Sequence, residues 1–190
     1  MSKLFSLIVT DTSPLLTLAL GDALDALLRP GLPVRIPDAV YVEATRVHGA
    51  PGADRIVEWI NAHLDEVRIV PTEIGVDQQR RIEEGRSIRG LGEQAAIEAL
   101  DRFLSSEPAS EALLLFEDTD IERRRAIVDE RVALISTGDF LRELETAGRI
   151  QSADVILDRA AAQGRNVERE ASRDAAARDR LRHQLGRGAT

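Results

Sequence analysis

The chain has 190 residues, a net charge of −8 and no cysteine. That size fits one domain with an appendage, and it excludes disulfides and thiolate metal sites while suiting a reducing, cytoplasmic setting. The acidic balance gives no general attraction to nucleic acid, no apolar run approaches the roughly 18 residues of a membrane span, and Leu4 to Val9 is too short for a signal peptide.

With 43% hydrophobic residues and only 3% aromatics, the core must be aliphatic. Short apolar runs read as strands at Leu7–Thr10, Val34–Ile36, Val67–Val70, Leu113–Phe116 and Val132–Ile135. Helical spacing falls between them, at Pro14–Leu20, Asp22–Leu28, Asp38–Val47, Asp54–Leu64, Gly75–Glu84 and Gly92–Leu104. It continues at Asp120–Asp129, Gly138–Thr146 and Ala153–Gln163. Strands alternating with helices of this length predict an α/β fold with a mainly parallel sheet of about five strands. Pro30-Gly31-Leu32-Pro33, Gly49 to Gly52, and Gly148 mark boundaries, and Thr137 and Ser152 are candidate N-caps. From Arg165 to Thr190 seven arginines face four acids, and Asn166 to Arg182 has almost no apolar stripe, which predicts a solvated C-terminal extension.

The chemistry-bearing residues are acids at related places. Asp11 closes the first strand and precedes Thr12, Ser13 and Pro14 at a helix start. Glu43 lies in the helix after the second strand, and Glu93 follows Arg89-Gly90-Leu91-Gly92 at another helix start. Asp118 follows the fourth strand within Glu117-Asp118-Thr119-Asp120. In a parallel sheet the first and fourth strands end on one edge, where such sheets bind ligands. Carboxylates gathered there repel one another, and Mg²⁺ or Mn²⁺ would neutralise them. Singly, each has a structural reading: Asp11 and Asp118 as helix caps, Glu93 as a favourable charge at a helix start, Glu43 as a surface acid. Their order and placement together favour a site.

The ordered motifs resemble the PIN-domain family, in particular the VapC-type toxin nucleases. They run from Asp11-Thr12-Ser13-Pro14-Leu15-Leu16 through Ile36-Pro37-x-x-Val40 leading to Glu43, then Gly92-Glu93-x-x-Ala96-Ile97. Leu114-Leu115-Phe116-Glu117-Asp118 with Arg123 and Ala126 follows, and Ile135-Ser136-Thr137-Gly138-Asp139-Phe140-Leu141 closes the set near Ile150. The resemblance implies a PIN-like three-layer α/β/α domain over residues 1–150 and a helical extension over 151–190. It implies a Mg²⁺- or Mn²⁺-dependent ribonuclease, with the acidic cluster on Asp11, Glu43, Glu93 and Asp118 and with Asp120 as an additional ligand. Thr12, Ser13 and Thr137 would position phosphate or water, and Arg46 and Arg123 are candidate RNA contacts. Cleavage would leave a 5′-phosphate and a 3′-hydroxyl. The implied partners are RNA, a cognate antitoxin protein and a second copy of the chain as a homodimer, with no membrane. The alternative is a PIN-like module that binds RNA or protein without hydrolysis.

Other signals carry less. Gly90-x-Gly92-x-x-Ala95 lacks the preceding strand that a dinucleotide fingerprint needs. Asp11-Thr12-Ser13 lacks the second aspartate of an aspartyl-phosphate nucleophile, which lowers a phosphatase reading. His48, His63 and His183 have no metal-ligand spacing, and Trp59 and Tyr41 read as core or interface residues.

Overall fold

The computed structural model describes residues 5–47, 49–117, 127–165, 167 and 175–187. Five strands, β1 Leu7–Thr10, β2 Val34–Pro37, β3 Val67–Val70, β4 Ala112–Phe116 and β5 Val132–Ser136, form one sheet in the order β3-β2-β1-β4-β5. Every pairing is parallel, including the β1–β4 register Leu7↔Ala112 to Thr10↔Leu115. The helices among the described residues are α1 Thr12–Leu20, α2 Asp38–Thr45, α3 Ala53–Ala62 and α4 Glu73–Glu83. They continue with α5 Leu91–Ser106, α6 Thr137–Thr146, α7 Ala153–Ala162 and α8 Ala175–Arg187.

Strand alternation builds two cores, one on each face of the sheet. Ile8, Leu113, Leu115, Ala133 and Ile135 point to the larger core, shared with α1, α3, α6, α7 and α8. Leu7, Val9, Leu114, Phe116 and Leu134 point the other way and pack on Ala96, Leu100 and Leu104 of α5. The result is three layers, α/β/α, as the residue pattern predicts. The chain steps outward from β1 through β2 to β3, then returns to lay β4 on the opposite side of β1. The reversal point therefore lies between the carboxyl ends of β1 and β4, where sheets of this kind open a crevice.

The structure differs from the sequence expectation in three places. Leu24–Leu28 is a 3-10 helix rather than part of an α-helix; it connects α1 to β2, and connectors are where such tighter turns are frequent. Ser136, not Thr137, caps α6, accepting from the Asp139 amide at 3.1 Å. Thr137 is already the first helical residue. The tail is not solvated throughout. Ala177, Leu181 and Leu185 of α8 are at most 3% exposed and join the larger core. The arginines between them pair with acids of the body: Arg182 with Glu143 at 2.8 Å, Arg178 near Asp139 at 4.0 Å, and Arg180 with Glu111. Ser152 caps α7 as expected, its hydroxyl accepting from the Val155 amide. The helix expected over 120–129 lies mostly outside the described residues. No described helix is long and apolar enough to cross a membrane.

Candidate active site

β1 ends at Thr10, and its register places Asp11 level with Phe116 at the end of β4. The Asp11 amide donates to the Leu115 carbonyl at 3.2 Å, so the strand pairing itself fixes where the carboxylate begins. The carboxylate then caps α1, accepting from the Thr12 amide at 2.7 Å. Capping and membership of an acidic edge are compatible, because each carboxylate oxygen has two lone pairs. Asp11 is only 8% exposed, in a position where a charge needs compensation.

Glu43 reaches the same place from α2. Its Oε2 accepts from the Thr12 hydroxyl at 2.9 Å and its Oε1 from the Gly92 amide at 3.0 Å. One carboxylate thus joins the starts of α1 and α5 to α2, across 31 and 49 residues of sequence. The approach requires glycine. A Cβ on Gly92 would lie 2.6 Å from Thr12 Oγ1 and 2.8 Å from Glu43 Oε2. Glu93, the next residue, is half-buried in the first turn of α5, where the helix dipole favours its charge.

Thr12 thereby acquires a definite task, orienting Glu43. Ser13 is half-buried in the first turn of α1, and Arg46 is exposed at the C-cap of α2. Thr137 is fully buried at the start of α6, and its hydroxyl has no hydrogen-bond partner among the described residues. Its depth suits a group behind the acids rather than one in contact with substrate. Asp118, Asp120 and Arg123 lie outside the described residues, as does His48. His63 contacts the Trp59 carbonyl through Nδ1 at 2.8 Å, Trp59 donates to Asp25, and His183 is exposed, all away from this edge.

The donor chemistry at the edge, carboxylates and hydroxyls without sulfur or imidazole, fits a hard divalent cation. Among the described residues no three acidic or histidine side chains come together closely enough to hold a metal ion. Hydrogen bonds tie Glu43 to Thr12 and Gly92, the sequence neighbours of Asp11 and Glu93, which makes these three acids the described candidates for such a donor set. Sequence reasoning singled out these three as candidates, but it missed Gly92 as the space that admits Glu43. It also missed the tie between Glu117 and Arg165, whose Nη2 donates to Glu117 Oε2 at 3.0 Å. The Gly-Glu pair was visible; the distant arginine carried no local signal.

Fold and edge together define a class, the doubly wound α/β proteins that gather carboxylates at a topological switch point. A family model described as a PIN domain matches residues 7–180, and the chain belongs to the PIN-domain family. The matched stretch runs past Ile150, where the sequence motifs end, and reaches into α8. No curated protein and no solved structure matches the chain. PIN domains are generally nucleases and typically use divalent metal ions, so the fold is of nuclease type.

Proposed function

We propose that this PIN-domain chain is a Mg²⁺- or Mn²⁺-dependent ribonuclease, the toxin of a type II toxin–antitoxin pair. The observation that carries the nuclease reading is the Glu43 carboxylate, fastened at the sheet's switch point by Thr12 and Gly92, the sequence neighbours of Asp11 and Glu93. Fastening a carboxylate from both sides is preorganisation, which matters for a metal ligand more than for a surface acid. Asp11, Glu43 and Glu93 would hold the cation together with Asp118, and Asp120 is a candidate further ligand. A bound cation would supply charge neutralisation and Lewis-acid activation at the phosphodiester. Thr12 keeps Glu43 in one rotamer, Ser13 stands near the phosphate path, and Thr137 backs the site with a buried hydroxyl. Arg46 and Arg123 would meet RNA backbone phosphates. The toxin reading rests on the likeness of the ordered motifs to VapC-type toxins; an antitoxin protein and a homodimer belong with it, in a cytoplasmic setting.

The test is cleavage of a labelled, structured RNA by purified chain with Mn²⁺ or Mg²⁺, beside EDTA and the Asp11→Asn variant. Cleavage that survives EDTA or the Asn substitution defeats the reading. RNA binding without metal and without turnover would instead favour the binding module.

A further inference from the structure

We propose that Arg165 is a positioning residue of the acidic edge, binding Glu117 and thereby keeping that carboxylate out of the metal-holding set. The inference rests on the metal-dependent reading above and deepens it. Glu117 is the first residue beyond β4 and the immediate sequence neighbour of Asp118. Phe116 packs on the α5 side of the sheet. By strand alternation residue 117 turns to the opposite side, towards α1. There its side chain is 7% exposed, and Oε2 accepts from Arg165 Nη2 at 3.0 Å. The same guanidinium donates through Nε to the hydroxyl of Thr17, a fully buried residue of α1, at 3.1 Å.

The arginine is itself held. Its amide donates to the Ala160 carbonyl at 3.0 Å, and Gly164 at φ 86° makes the left-handed turn that ends α7. A fork donor fixed at its base and shared between a hydroxyl and a carboxylate imposes one direction on Glu117. Glu117 Oε1 is buried with no hydrogen-bond partner among the described residues. Without Arg165 this carboxylate would be buried and uncompensated, a state relieved by turning towards a cation. Glu117, the first acid after β4, is thus withdrawn from the site by a tether.

Direct Mn²⁺ binding, read by the loss of the free-ion paramagnetic resonance signal, tests this alongside RNA cleavage. All variants are compared below their thermal transitions. Releasing Glu117 adds ligand charge, so Arg165→Ala should bind Mn²⁺ about threefold or more tighter. Its kcat should fall about tenfold, as the added ligand displaces the productive arrangement. Arg165→Ala/Glu117→Gln should return both quantities to wild type, and Glu117→Gln alone should leave them unchanged. Arg165→Lys, which keeps a charge beside Glu117, should bind Mn²⁺ as wild type does. A purely structural ion pair would lower thermal stability but would not tighten Mn²⁺ binding. Unchanged or weaker binding in Arg165→Ala, or no reversal by Glu117→Gln, overturns the proposal while leaving the metal reading intact. Absence of Mn²⁺ binding by the wild-type chain overturns both.

Discussion

Both oxygens of Glu43 accept a hydrogen bond, from the Thr12 hydroxyl and from the Gly92 amide, and Gly92 has no room for a Cβ. Alanine ordinarily stabilises a helix over glycine by about 0.5–1 kcal/mol. Here the added methyl collides with Thr12 and with Glu43 itself. Overpacking costs about 1–3 kcal/mol, so the collision wins and Glu43 moves. Gly92→Ala should therefore unfold at lower urea than wild type and cleave RNA at least about tenfold more slowly, since small misplacements of catalytic groups are expensive. A more stable variant with full activity would show that Glu43 has no such task. Asp11, Glu43 and Glu93 were legible because each stands at a strand end or within a helix next to one, marked by glycine, proline or hydroxyl residues. The ligands of those acids were not legible. Thr12 and Gly92 read equally well as cap and turn, and only the crossing of α1, α2 and α5 gives them a carboxylate to hold.

Strands β1, β4 and β5 were readable from unbroken apolar runs, because parallel strands covered on both faces carry no polar alternation, whereas β2 and β3 were read from Val and Ile on either side of Arg35 and Arg68. Helix α8 was not. Its buried side chains, Ala177, Leu181 and Leu185, recur every four residues as a single narrow row amid arginines. The acids that accept those arginines, Glu111 just before β4 and Asp139 and Glu143 on α6, are invisible from the tail. Leu181 is fully buried, so Leu181→Ala should cost about 2–5 kcal/mol in denaturant unfolding. A change near zero would mean that α8 rests on the body without closing its core. A second device holds the α5–β4 connection. Arg131 binds Asp129 at 2.7 Å and the carbonyls of Leu104 and Pro108. Hydrogen bonds from the Arg131 side chain and amide depress the Asp129 carboxyl to about 2. A depressed carboxyl stabilises the fold above its unfolded value of about 4, and the contribution disappears as pH falls through about 2. Asp129→Asn should thus lower the urea midpoint at pH 6, with the difference from wild type shrinking as pH approaches 2. A difference independent of pH would place its cause elsewhere than in the charge.

Strand order is the feature that local pattern could not supply. Short apolar runs state that strands exist, but the return of β4 to the free side of β1 depends on which surfaces α1 and α5 cover. That return makes a site of separate residues. It sets the end of β4 beside Asp11, brings the start of α5 against Glu43, and leaves β3 and β5 at the rims of the sheet. With the larger core filled by α7 and α8, the carboxyl edge rests on a packed base, as a preorganised site requires. The chain's overall charge of −8 opposes RNA, so the proposed ribonuclease reading calls for cations at this edge. The decisive measurement is cleavage of a labelled, structured RNA with Mn²⁺ or Mg²⁺, run beside EDTA and beside folded Asp11→Asn protein. Cleavage is expected only with the cation and only with Asp11, with the loss in the variant at least about a hundredfold. Cleavage that persists in EDTA or in Asp11→Asn would contradict the assignment of this edge as a metal-dependent nuclease site.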